Sequence, residues 1–333
     1  MAFMGAGRCC GADEMMAEIG IERASMNAEK KAISRHSWLA RFVILVPYLW
    51  LAVFFLLPFL IILKISLSQT AIAQPPYTPV FDLAAGWEGF KTFVAGLSFD
   101  NYASLFSDSL YLSSYLKSLE VAAASTLILV LLGYPIAYAI ARLPQRHRSV
   151  LVMLIILPFW TSFLIRVYAW INILQHDGLL NQALLALGII HEPLTWLSTD
   201  TAIYIGIVYS YLPFMVLPIY ATLEKMDESL LEAAADLGAP RWKAFWLVTV
   251  PLSFPGVIAG ALLCFIPIVG EFVIPDLLGG SETLMIGQTL WTEFFANRDW
   301  PVASAVAVAL LCLLVVPIVI YQQLQMRGLE KAR

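Results

Sequence analysis

Apolar residues fall into six long runs, with the polar residues confined between them. The runs cover about 40–64, 119–141, 150–174, 201–223, 249–273 and 302–323. Each is long enough for the ~20 residues that a membrane-spanning helix needs. The pattern predicts an all-α polytopic membrane protein with six transmembrane helices. Residues 1–37 hold five acidic and five basic residues and no apolar run, which reads as a disordered cytoplasmic tail without a secretory leader. Met26 opens a second start, MNAEKKAISRHSW, so residues 1–25 read as an extension or an upstream start.

Charge sets the expected orientation. Placing the N-terminus inside puts fifteen Lys and Arg on the cytoplasmic side: six up to Arg41, then Arg142, Arg146, Arg148, Lys225, Arg241, Lys243, Arg327, Lys331 and Arg333. Lys64, Lys91, Lys117, Arg166 and Arg298 remain for the other side or the membrane. Cytoplasmic loops carry the excess of basic residues, so both termini are expected inside. The longest outer loop is then 65–118. Its PPYTP at 75–79 favours extended or turn backbone. Asp100–Lys117, with Leu105, Leu112 and Leu116, reads as a helix lying at the interface.

Composition agrees: 60% of the residues are hydrophobic and only 13% charged, well away from soluble-domain averages. A net charge of −4 without a basic cluster excludes a nucleic-acid partner. Cys9 and Cys10 lie in the tail, Cys264 and Cys312 in apolar runs, and the four histidines are scattered, so no metal site is expected. No phosphate-binding GxxxxGK[ST], HExxH or GxSxG occurs. Neither ATP hydrolysis by that loop nor an intramembrane hydrolase is expected.

The polar break at Glu232–Pro251, EAAADLGAPRWKAFWLVTVP, has internal order. Ser229-x-x-Glu232 fits a capping box, Gly238 sits where a left-handed C-cap residue belongs, and Pro240 suits the first turn of a second helix. The reading is two short helices joined at a glycine elbow, a shape suited to docking.

The spacing Glu232, Ala233, Ala234, Gly238, Val248-x-Val250-Pro251 is similar to the EAA loop of binding-protein-dependent ABC importer permeases, with Val248 and Val250 in place of the usual Ile and Leu. VPYLWLAVFFLLPFL, LPFWTSFLIRVYAW, YIGIVYSYLPFMVLPIY, GEFVIPDLLGG and NRDWPVASA resemble the polyamine branch, nearest to putrescine-importer permeases that pair with a second permease. The resemblance covers about 38–326, leaving 327–333 as a short cytoplasmic tail. It implies a type I permease fold in a bacterial inner membrane, and a coupling loop at 224–248 whose Glu232, Ala233, Ala234, Gly238 and Pro240 engage a separate ATPase. It also implies two ATPase copies that hold ATP and Mg, a second homologous permease and a periplasmic polyamine receptor. This chain would bind no cofactor itself.

Polar groups in hydrocarbon need a partner or a role. Glu271, near the outer end of the fifth run, is a candidate for the substrate path, or else caps a helix or pairs with Arg166. Asp276, Trp160, Tyr168, Tyr204 and Tyr211 are further path candidates, since ammonium groups sit well over aromatic faces. Arg166 shares a face with Ser162 and Trp170 and would neutralise a buried acid or snorkel outward. Gly256-x-x-x-Gly260 would let another helix approach closely, and Pro251, Pro255 and Pro267 would bend this span. Thirteen acidic residues beyond the inner boundary face five basic ones, a field that attracts a dication. The expected function is polyamine import, putrescine before spermidine. The alternatives are another small organic solute, or an autonomous secondary transporter or channel.

Overall fold

A computed structural model of the chain describes residues 43–80, 86–280 and 283–331. The tail, with the second start at Met26, and residues 332–333 lie outside the described residues. Four helices are long and apolar enough to cross a membrane, or five if one bent pair counts as a single span. We label them with their shorter neighbours in chain order.

The described part of the first unit, residues 43–64, is helical, and this helix, α1 (Val43–Ser66), ends two residues into the second. It widens to a π-turn at Ala52–Leu56, just before Pro58. A proline has no N–H to give the carbonyl four residues back, and a wide turn is one way a helix absorbs that loss.

From residue 65 the chain forms a second unit. Strands β1 (Gln69–Thr70) and β2 (Tyr77–Thr78) pair antiparallel, Gln69 opposite Thr78, so the Pro-rich segment is a small hairpin. Helix α2 (Gly86–Ala95) follows, then α3 (Asp100–Ser107) and α4 (Ser109–Arg142). The interfacial helix expected over Asp100–Lys117 is therefore divided. Asp108 takes an extended conformation and its side chain accepts from Leu110 N at 2.9 Å, capping α4. Residues 109–117 lengthen the long helix instead.

The third apolar run, 150–174, is not one rod. α5 (Gln145–Trp160) and α6 (Phe163–Leu174) meet at 91°. Leu157–Trp160 tightens to a 3₁₀ turn at Pro158, and Thr161 closes it by donating its hydroxyl to Pro158 O at 2.7 Å. α7 (Leu179–Ala186) leads to α8 (Asp200–Glu224), α9 (Ser229–Asp236) and α10 (Arg241–Val269). After these come α11 (Val273–Leu278), α12 (Ile286–Trp291), a π-turn at Thr292–Ala296, and α13 (Trp300–Lys331).

The core is the bundle of α4, α8 and α10, with Leu129, Ile207, Met215, Ile219, Cys264 and Ile268 buried in it. Against α8, Gly256 and Gly260 mark the closest approach of α10. A Cβ on Gly260 would sit 2.9 Å from Met215 Sδ, and one on Gly256 2.8 Å from the Pro218 carbonyl oxygen. The Cys264 thiol donates to Tyr211 O at 3.6 Å along the same seam. A smaller cluster joins α3, α12 and α13 through Leu105, Ile286, Ala305 and Val306.

The loop from 175 to 199 is organised by one side chain. Asn181 is 1% exposed. Its amide donates to His176 O at 2.9 Å and Leu194 O at 2.8 Å, and accepts from Leu194 N at 3.1 Å and Trp196 Nε1 at 2.8 Å. Asn181→Leu keeps the volume but strands these partners, and unpaired buried groups cost about 1–3 kcal/mol each. The variant is expected to lower the thermal unfolding midpoint of the detergent-purified protein by several degrees; an unchanged midpoint refutes this organising role.

Candidate functional site

The elbow is built by its backbone. Gly238 has φ +78°, in the left-handed region where a Cβ is disfavoured. Gly238 N donates to Ala235 O at 2.8 Å and Ala239 N to Ala234 O at 3.0 Å, the paired bonds of a Schellman stop. The start of α9 differs from the expected capping box. Ser229 lies inside the helix, and Asp227 supplies the cap, accepting from Ser229 N at 2.9 Å. Hydrogen bonds from Ser229 hold the Asp227 carboxyl below its usual range. The cap therefore contributes above the ordinary carboxylate pKa and is lost as pH falls through the lowered value.

Pro240 precedes the second helix rather than entering its first turn, and its carbonyl accepts from Ala244 N at 3.1 Å. That second helix is not separate. Arg241–Ala244 passes through a π-turn at Phe245–Thr249, upstream of Pro251, straight into the long helix α10. The elbow is thus one short helix hinged on the end of a long one.

Glu232, Ala233, Gly238 and Pro240 are exposed and Ala234 half-buried. Leu237 is 90% exposed and Trp242 68%, so the elbow presents an apolar surface that none of the described residues covers. An ion pair and a ring cluster tie it and its approach to α4. Arg142 lies 3.8 Å from Glu228, and Phe245 packs edge-on against Tyr134 and Tyr138 at 5.9 and 5.2 Å. Below them, Tyr134 and Ser253 hydroxyls bond at 2.8 Å.

At the far end of α10 the helix stops at Val269, so Glu271 lies beyond it, not within the span. Its carboxyl is buried and both of its oxygens have partners. Oε2 accepts from the Tyr211 hydroxyl at 2.7 Å, and Oε1 from Val273 N at 3.1 Å and Ile274 N at 3.5 Å. Glu271 caps α11 and ties it to α8. Among the described residues no cation pairs with it. Arg166 instead lies over the Phe159 and Phe163 rings, 5.1 and 5.6 Å from their centroids. Phe159 meets Phe214 edge-on at 5.0 Å, and Phe214 lies 6.0 Å from Tyr211.

The other path candidates scatter. Tyr204 packs against the core, while Trp160 is 76% exposed and Tyr168 53%. Asp276 is exposed and accepts from Gln288 Nε2 at 3.1 Å. Of the six, the structure joins only Tyr211 and Glu271 directly.

A family model described as "Binding-protein-dependent transport system inner membrane component" matches residues 125–327. This chain belongs to that family. It is 37% identical over 281 residues to the spermidine/putrescine transport system permease protein PotB of Haemophilus influenzae, covering 84% of this chain and 92% of that one. To PotB of Escherichia coli K12 it is 43% identical over 222 residues, covering 67% and 80%. Among solved structures, a bacterial ABC transporter that imports the acidic polysaccharide alginate aligns with TM-score 0.64 at 16% identity, over 88% of this chain and 96% of that one. This last likeness shows the shared fold.

The permease is accordingly a multi-pass inner-membrane subunit of an importer served by a binding protein, and ATP is hydrolysed on a separate subunit. Several polar residues that order it escape sequence reasoning. Lys117 Nζ lies 2.9 Å from Asp200 Oδ2 and 3.5 Å from Glu120 Oε2, and the Thr283 hydroxyl donates to Asp200 Oδ1. The Lys117–Glu120 spacing of three was a readable signal; the reach to Asp200 and Thr283 across the fold was not. In the permease Tyr211→Phe leaves a buried Glu271 oxygen without its donor, at a cost of about 1–3 kcal/mol. A thermal melt should show a clear loss of stability, and a wild-type midpoint would contradict the pairing.

Proposed function

We propose that this permease carries polyamines, putrescine or spermidine, from periplasm to cytoplasm, with both of its termini in the cytoplasm. The observation that carries the reading is the 37% identity to a spermidine/putrescine permease along nearly the whole of that relative. The excess of acidic over basic residues away from the elbow supports it, since such a field draws a dication. Putrescine and spermidine stand equal on this ground.

The Glu232–Pro251 elbow is the ATPase-coupling element, with Glu232, Ala233, Ala234, Gly238 and Pro240 at its contact face. Its apolar, exposed Leu237 and Trp242 suit a groove in a partner protein. The hinge at Gly238 passes the partner's movement to α10 directly and to α4 through Phe245 and Glu228. Two copies of a cytoplasmic ATPase hold ATP and Mg. A second, homologous permease completes the membrane pair, and a periplasmic receptor delivers the amine. Tyr211 and Glu271 hold the far end of the lever in register.

The test is ATP-dependent uptake of labelled putrescine and spermidine by proteoliposomes holding the full importer. Uptake of either amine that stops without the ATPase is expected. Uptake of neither removes the polyamine reading, and uptake that persists without any ATPase removes the coupling. Gly238→Leu forces a branched side chain into a left-handed position. It should insert normally yet lose the ATPase in pull-down, whereas full retention would count against the elbow as docking element.

A further inference from the structure

Helices α11 and α12 face each other across two rungs. Phe272, just before α11, and Asp276 are four residues apart; Gln288 and Trp291 on α12 are three apart, so each pair shares a face. One rung is polar, Gln288 Nε2 donating to Asp276 Oδ1 at 3.1 Å. The other is aromatic, with Phe272 stacked on Trp291 at 4.7 Å and 12° between planes. Phe295 extends the row, 4.1 Å from Trp291. An exposed carboxylate and a wall of rings thus stand side by side.

We propose that Asp276, oriented by Gln288 and flanked by Phe272 and Trp291, is a subsite for a primary ammonium group of the cargo. The inference rests on the polyamine reading above. Three observations carry it. First, Asp276 is exposed, and among the described residues no Lys, Arg or His lies within 4.0 Å of its carboxylate. Asp200, by contrast, is already held by Lys117. An ammonium has three donors and no acceptor, so a carboxylate with no resident cation is its natural complement.

Second, ring faces attract cations and also accept the methylene chain between the amines, so one wall serves both parts of an α,ω-diamine. Third, the Gln288 amide gives its nitrogen to Asp276 while its Oε1 is buried without a partner among the described residues. Reversing the amide would set two oxygens against each other. Simple packing would favour an apolar side chain here, because an unpaired buried acceptor costs free energy. The amide is explained by what it does for Asp276: it fixes the direction of that carboxylate. Gln288 is a positioning residue.

The test uses the full importer in proteoliposomes at saturating receptor, reading labelled putrescine and spermidine uptake per ATP hydrolysed. Asp276→Asn should cut that ratio about tenfold, as expected for loss of one charged hydrogen bond, while receptor-stimulated hydrolysis persists. Asp276→Glu and Trp291→Phe should retain most uptake; Gln288→Leu and Trp291→Ala should not. A wild-type ratio for Asp276→Asn overturns the subsite. So does a loss equal in Asp276→Asn and Asp276→Glu that takes receptor-stimulated hydrolysis with it, since that marks a purely structural role. If the unaltered importer hydrolyses ATP with its receptor but carries neither amine, the polyamine reading fails and the subsite falls with it.

Discussion

The close seam between α8 and α10 is the constraint on which the other features rest. Lipid tails are as apolar as leucine, so helices in a bilayer associate through packing and hydrogen bonds rather than through exclusion of water. Gly256 and Gly260 let the backbone of α10 come against Met215 and Pro218. That proximity brings the Cys264 thiol to Tyr211 O and, two residues beyond the helix end, Glu271 to the Tyr211 hydroxyl. Shift the seam outward by a methyl group and the cap on α11 loses its anchor.

Along this seam α10 acts as one long rod, from the glycine hinge at one end to the Glu271 cap at the other. Its only widening is the π-turn at Phe245–Thr249, which lies where the aromatic contacts with Tyr134 and Tyr138 gather. Under the proposed coupling role, motion at the elbow would reach both α10 and α4 through side chains already in contact. The polar residues divide in the same way. Those that hold the scaffold, Glu271, Asn181 and Asp200, are each bonded to two or more groups within the protein. Asp276 stands exposed, oriented by Gln288, and among the described residues no cation pairs with it.

Much of this was legible in the chain itself. Twenty-residue apolar runs can only be helices in a bilayer, because every backbone polar group must find its partner within the segment. The left-handed stop at Gly238 was readable too, since few other residues tolerate that backbone. So was the membership of the Glu232–Pro251 stretch in a known family, because its spacing repeats over twenty positions.

What the sequence could not decide were choices among equally good local solutions. Asp227 and Ser229 both suit a helix cap, and the path of the chain out of α8 selected Asp227. Asp108 could continue a helix or start one; it starts α4. The third run carries one proline among apolar residues, like α8 with its Pro213 and Pro218, yet only the third run breaks. Glu271 could have faced cargo, an arginine or a helix end, and only the approach of α8 set a tyrosine hydroxyl beside it. Local chemistry determined which elements form and where several of them stop. The side-chain partners of Glu271 and Asp200, by contrast, come from segments sixty or more residues away, whose meeting is fixed by packing and leaves no period in the sequence.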